Sequence, residues 1–330
     1  MRFPIIASAL IATALPALAQ DKPVLRVLTY DSFVSDWGPG PQIEANFEAT
    51  CNCDLEFVGS GDGAALLARI RLEGARSDAD VVLGLDTSLT AAAADTGLFA
   101  PHGIVPTGLD LPVAWDDPLF LPFDWGYFAF VHDRTKLPDP PASLAELADS
   151  DLKILIQDPR TSTPGLGLLL WVEAAFGDDA EPLWAALSDN IVTVTKGWSE
   201  AYGLFLDGEA DMVLSYTTSP AYHLIAEEDD SKAAAPFAEG HYMQIEVAGK
   251  LAGSDQPDLA DAFLAFMLTE GFQGVIPTTN WMYPAVTPAG GLPDGFDTLA
   301  VPDKALLFAP EKADAMRDRA LAKWLSALSR

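Results

Sequence analysis

The chain has 330 residues, 49% of them hydrophobic, with 19 basic and 48 acidic side chains and a formal net charge of −29. That balance argues against nucleic acid and anionic lipid as partners, would draw in a cationic small molecule, and also keeps an exported protein in solution. The opening stretch MRFPIIASALIATALPALAQ carries Arg2, an apolar run from Ile5 to Leu15, and small residues at Ala17 and Ala19. This is the layout of a secretory signal peptide, so residues 1–19 are read as one, cleaved after Ala19. The run is shorter than the ~20 residues a bilayer span needs, and no later segment is both long and uncharged, so no direct membrane insertion of the mature chain is expected. No Cys stands at the cleavage point to carry a lipid anchor. Roughly 310 residues remain, more than one hydrophobic core usually supports, which predicts two lobes.

Lys22 to Tyr30 reads as a strand, Gln42 to Ala49 as an amphipathic segment, and Leu55 to Val58 as a second strand. Asp62 then precedes a helical pattern containing Leu66, Leu67 and Ile70, and ADVVLGLD at Ala79 to Asp86 reads as a buried strand. Strand, helix, strand is the rhythm of an open, mainly parallel α/β sheet, which binds ligands outside the carboxyl ends of its strands. Leu121 to Gly126 reads as turn residues leading into the strand YFAFVHD, the first crossing between lobes. A second α/β unit follows: a strand at Lys153 to Gln157, a helix from near Leu166, and strands at Ile191 to Thr195 and Met212 to Tyr216. Gly240 to Val247 reads as a returning strand and Leu259 to Met267 as a helix. The expected division is a first lobe of 20–121 with 237–280 and a second of 122–236 with 281–330.

The two cysteines, Cys51 and Cys53, would sit ~6.6 Å apart in an extended segment, near the limit for a bridge. A strained disulfide and two free thiols both stay open. The four histidines, His102, His132, His223 and His241, show no metal-ligand spacing, so no metal site is expected. Aromatic and hydroxyl residues gather in four turn-like segments: YDSFVSDWGPGP, RTSTPGLG, KGWSEAY with SYTTSPAYH, and TTNWMYP. Rings with a few fixed polar groups suit a flat cationic heterocycle, since cation–π attraction is worth ~0.5–2 kcal/mol per ring.

The stretches YDSF, DWGPGP, CNCDL, ADVVLGLD, GYFAFVHD, QDPRTSTPGLGLLLW, TKGWSEAYGLFL, VLSYTTSPAYH and NWMYP run in order over nearly the whole mature chain. In these the sequence resembles the bacterial periplasmic thiamine-binding proteins of ABC importers. The resemblance implies a two-lobed α/β periplasmic-binding-protein fold of type II topology, with a ligand cleft between lobes that close by a hinge. It implies capture of thiamine, thiamine monophosphate and thiamine diphosphate, delivery to an inner-membrane permease with its ATPase subunits, and no cofactor. It implies pocket positions at Tyr30, Trp37, Asp62, Ser162, Trp198, Tyr216, Tyr222 and Trp281.

Trp198 and Trp281 also suit a core, and Asp62 also suits the N-cap of the helix that follows. Asp31, Asp36 and Asp124 are further acidic candidates. Thr161, Ser162 and Thr163 stand just ahead of a helix, where unpaired N–H groups bind anions, and are read as a phosphate site with Arg160 and Lys196 as possible charge partners. A hydrolase lacks support: there is no Gly-x-Ser-x-Gly and no His-Glu-x-x-His, and Gly165-Leu166-Gly167 runs on into leucines. A ferric-ion or polyamine carrier of the same fold is the alternative, although Tyr216 and Tyr222 are six apart where such iron carriers present adjacent tyrosines.

Overall fold

The computed structural model describes residues 22–329. The expected signal peptide at 1–19 lies outside them. Eight strands make the main sheet: β1 (Val24–Thr29), β2 (Asp54–Gly59), β3 (Val81–Asp86), β4 (Phe120–Asp133), β5 (Ile154–Gln157), β6 (Ile191–Thr195), β7 (Met212–Tyr216) and β8 (His241–Leu251). Their order is β2-β1-β3-β8-β4-β7-β5-β6. One half is parallel through β2, β1 and β3, the other through β7, β5 and β6, and antiparallel β8 and β4 lie between them.

The segment expected as turn plus strand is one 14-residue strand, β4, despite Pro122 and Gly126. Its first part pairs with β8 and its last part with β7, so the passage between halves is made inside a strand. Pro122 is tolerated because the ladder is irregular there: Asp124 faces Glu246 and Pro122 faces Val247, leaving Phe123 as the extra residue of a bulge. Gly126 leaves room for the Met282 side chain, whose end lies where a Cβ would be.

Helices α1 (Gly40–Cys51) and α2 (Gly63–Glu73) cover the first half. The second half carries α3 (Thr163–Phe176), α4 (Trp198–Leu206), α5 (Pro220–Ala226) and α6 (Pro310–Leu328). Helix α3 is buried from Thr163 to Glu173, which explains its unbroken apolar run, and Glu173 is matched by Lys323 of α6 at 2.8 Å. Cys51 and Cys53 are bridged. The segment is not extended: α1 ends at Cys51 and Asn52 takes a left-handed conformation (φ 50°), which draws the two Cα atoms to 5.1 Å. Among the described residues no single helix is long and apolar enough to cross a membrane.

Candidate functional site

Tyr30 follows β1, Asp62 follows β2, Trp198 follows β6 and Tyr216 ends β7, so the loops at the carboxyl ends of the parallel strands converge from both halves. They enclose a cleft of about 380 Å³. Seven aromatic residues line it: Tyr30, Trp37, Trp198, Tyr202, Tyr216, Tyr222 and Trp281. The polar lining is Asp62, Glu246, Asn280 and several hydroxyls, and among the described residues no Lys, Arg or His contributes.

Most of these rings are held by an identifiable device. Gly84 has φ +103° and is the extra residue of a bulge where Val247 faces Leu85 and Ala248 faces Leu83. The Tyr30 ring lies where a Cβ on Gly84 would be, so only glycine lets that ring settle on β3. Trp198 opens α4, donates its indole N–H to Ser215 Oγ at 2.7 Å, and stacks on Tyr202 at 5.1 Å. The Tyr202 hydroxyl meets His223 Nε2 at 2.9 Å, and Glu227 is shared by His223 Nδ1 (2.6 Å) and the Tyr222 hydroxyl (3.0 Å). Tyr222 meets Trp281 edge-on at 5.5 Å. Trp281 has φ +56°, a conformation a bulky residue seldom adopts, and such strain gathers at ligand clamps. Trp37 is 55% exposed and reaches from the first half to within 6.4 Å of the Trp198 ring.

Of the residues singled out in the sequence, Tyr30, Trp37, Asp62, Trp198, Tyr216, Tyr222 and Trp281 stand on the cleft wall, and the acidic candidates Asp31, Asp36 and Asp124 stand off it. Thr161, Ser162 and Thr163 stand off it as well; Pro164 takes the place on the wall beside them. Thr161 Oγ1 donates to the Lys196 carbonyl at 2.6 Å. Ser162 Oγ donates to Asp62 Oδ2 at 2.8 Å and Thr163 Oγ1 to Asp62 Oδ1 at 3.1 Å, and Asp62 also accepts the backbone N–H of Gly63 at 2.9 Å. The loop does hold an anion at the start of α3, and the anion is the carboxylate of Asp62 from the opposite half. Asp62 is both the N-cap of α2 and a latch across the cleft. Ala65 N–H reaches the Thr161 carbonyl at 3.3 Å in the same place, and a Cβ on Gly63 would overlap Thr163 Oγ1. The two halves are therefore closed on each other. Burial holds the Asp62 carboxyl above the ordinary range, against the pull of its donors.

Glu246 and Tyr202 were missed in the sequence. Tyr202 closes the segment KGWSEAY, which reads as turn-like in the sequence without the residue itself being singled out, and the structure places it in helix α4. Glu246 carries a signal in hindsight, an acid in the apolar strand HYMQIEV, where charged side chains are rarely buried. It is 6% exposed, accepts the Tyr30 hydroxyl at 3.0 Å and Gln244 Nε2 at 2.7 Å, and Gln244 in turn accepts the Tyr216 hydroxyl at 2.9 Å. Its cross-strand neighbours are Asp86 on one side and Asp124 on the other. Asn280 ties Asp124 Oδ2 (2.6 Å) to the Tyr30 hydroxyl (2.9 Å). Burial is the main cause that pushes Asp86 up to about 7, Asp124 up to about 8, and Glu246 well above the carboxylate range. Separately, single ligand atoms of His223, Glu227 and Asp229 lie within 4.8 Å of one another, a metal-compatible grouping that the histidine spacing alone did not reveal. Its atoms are already engaged, His223 by Tyr202 and Glu227, Asp229 by Ser231.

Two α/β halves joined through central strands and closed over a ring-lined cleft define a solute-binding protein. The family described as bacterial extracellular solute-binding protein matches residues 37–274, and the chain belongs to it. It is accordingly a binding protein and not an enzyme. It is 55% identical to the thiamine-binding periplasmic protein of Salmonella typhimurium over 97% of this chain and 98% of that one. It is also 55% identical to the thiamine-binding periplasmic protein of Escherichia coli K12, over 94% of each. A solved structure of a periplasmic thiamin binding protein superposes with a TM-score of 0.92 at 54% identity, covering 96% of this chain and 100% of that one.

Proposed function

We propose that this chain is the periplasmic solute-binding component of an ABC importer, capturing thiamine and its mono- and diphosphate esters and delivering them to an inner-membrane permease with its ATPase subunits. The observation that carries the reading is the cleft: seven aromatic residues with the acids Asp62 and Glu246, without a basic side chain among the described residues, closed between two halves. Thiamine is a flat, cationic pair of heterocycles, and rings of this kind attract it at ~0.5–2 kcal/mol each. The contact residues in this reading are Tyr30, Trp37, Asp62, Trp198, Tyr216, Tyr222 and Trp281. Thr161, Ser162 and Thr163 join as the latch whose anion position an ester phosphate would contest with Asp62. Residues 20–121 with 237–280 and 122–236 with 281–330 are the two closing bodies, a division supported by helix α6 packing back on α3 after the passage through Trp281. Ligand binding favours the closed population, which then docks on the permease.

Isothermal titration of refolded mature protein, stripped of ligand, with thiamine and both esters tests the reading. The expected result is 1:1 binding weakened about 30-fold or more by Trp281→Ala, the loss of an aromatic anchor worth ~2 kcal/mol. No heat with any of the three, from folded protein, would overturn the cargo and return ferric ion and polyamines to consideration. Ser162→Ala holding thiamine monophosphate as tightly as the parent would remove that loop from ester recognition.

A further inference from the structure

Asp86, Glu246 and Asp124 form a row of three acids across adjacent strands β3, β8 and β4, each pair in direct cross-strand register. Like charges placed opposite one another destabilise a sheet, and this row lies at its centre with Asp86 and Asp124 fully buried. Among the described residues no Lys, Arg or His forms an ion pair with any of the three. Their hydrogen bonds are also incomplete: Asp86 Oδ1 accepts the Ser88 N–H, while Asp86 Oδ2 and Asp124 Oδ1 are buried with no partner. Only Glu246 of the row reaches the cleft. The other groups around it are Tyr30 after β1, Tyr216 at the end of β7 and Asp62 at the start of α2. Both phenols are held protonated, chiefly by burial and further by the acids themselves, and the oxygens of Asp62 are filled by its own donors. Nothing in this surrounding supplies a positive charge.

We propose that Glu246 is the residue by which the cleft selects a cationic ligand, releasing a proton held in the Asp86–Glu246–Asp124 row in exchange for the ligand's positive charge. The proposal rests on the reading of thiamine as cargo and deepens it. The exchange balances: a neutral carboxyl and a ligand cation become a carboxylate with its cation, and one proton passes to solvent. A carboxyl kept neutral by burial and by like-charged neighbours is the form that an incoming cation converts, because the cation offsets both penalties. An uncharged ligand of the same shape gains nothing from the row and leaves the proton in place.

The test is calorimetry of stripped protein at pH 7 in two buffers of different ionisation enthalpy, with thiamine and with its uncharged analogue carrying a thiophene ring in place of the thiazolium. The wild type should release a proton with thiamine, release none with the analogue, and prefer thiamine by about tenfold or more, the equivalent of one pKa unit. Glu246→Gln keeps an acceptor for Tyr30. It should abolish the proton release and bring the two affinities within about threefold of each other, while still binding the analogue. Absence of proton release in the wild type overturns the proposal without reference to any variant, as does an undiminished preference in Glu246→Gln. Failure of the wild type to bind thiamine at all would overturn the cargo reading and this inference with it.

Discussion

Asp62 and the Asp86–Glu246–Asp124 row meet at one cleft, the row through Glu246 alone, and the fold treats them in opposite ways. Asp62 alone receives two hydroxyls and a backbone N–H group, the hydroxyls from the other half of the molecule. The three carboxyls of the Asp86–Glu246–Asp124 row share four donors, one at Asp86, one at Asp124 and two at Glu246, and two of the row's oxygens have none. A carboxylate whose lone pairs are filled by the protein fixes a conformation, whereas one left short keeps its capacity for something the protein does not contain. Asp62 accordingly governs whether the cleft is closed, and the row governs what charge is welcome inside it.

The sharpest way to break this division is Asp62→Ala. It removes an N-cap, worth ~1 kcal/mol, and strands the Ser162 and Thr163 hydroxyls at ~1–3 kcal/mol each if they stay buried. Since closing is what those bonds reward, thiamine affinity should fall about 30-fold or more, the equivalent of ~2 kcal/mol. Small-angle scattering should then show a smaller ligand-induced compaction at equal thiamine concentration. Parent-like compaction in the variant would mean that Asp62 is not the latch. A smaller effect on binding is expected from Gly63→Ala, which keeps the cap and sets the new methyl against Thr163 Oγ1 across the cleft and against the Gly84 carbonyl within the first half. Overpacking of this kind costs ~1–3 kcal/mol, so binding should weaken about tenfold, and because the Gly84 contact persists when the halves part, the ligand-free variant should also melt at a lower temperature than the parent.

The sequence made the aromatic half of the site legible and left its acidic half mostly hidden. Trp37, Trp198, Tyr222 and Trp281 stand among Gly, Ser, Asn and Pro, where turn chemistry announces display. Asp62 was readable as a cap, but its second role depends on Ser162 and Thr163, a hundred residues away and brought near only by closure. Asp124 was named as an acidic candidate, yet nothing local says that it faces Glu246. That register depends on the bulge at Phe123, and the Asp86 side of the row has a matching bulge at Gly84. Strand rhythm and lobe count follow from periodicity and length. The meeting of three acids does not, because pairing between β3, β8 and β4 is a property of the assembled sheet.

The row also leaves a mark on the ligand-free protein, smaller than the effects of the latch and open to a direct sign test. Asp86 at about 7 and Asp124 at about 8 keep protons in the folded state that the unfolded chain loses near pH 4. Between those limits the folded state binds more protons, so its stability is fullest at low pH and falls as pH rises toward 8. The slope is up to about 1.4 kcal/mol per pH unit for each proton. His132 and His241, held below the ordinary histidine range chiefly by burial, act in the opposite sense below about pH 6.5. The row is therefore isolated by comparing Asp124→Asn with the parent. The amide keeps an acceptor for Asn280 and puts a donor where Asp124 Oδ1 has no partner. Urea unfolding from pH 5 to 8 should show a shallower decline for the variant and greater stability than the parent at pH 8. Parallel profiles would mean that Asp124 ionises in the fold as it does in water, and the contrast between the satisfied and the unsatisfied acids would lose its energetic basis.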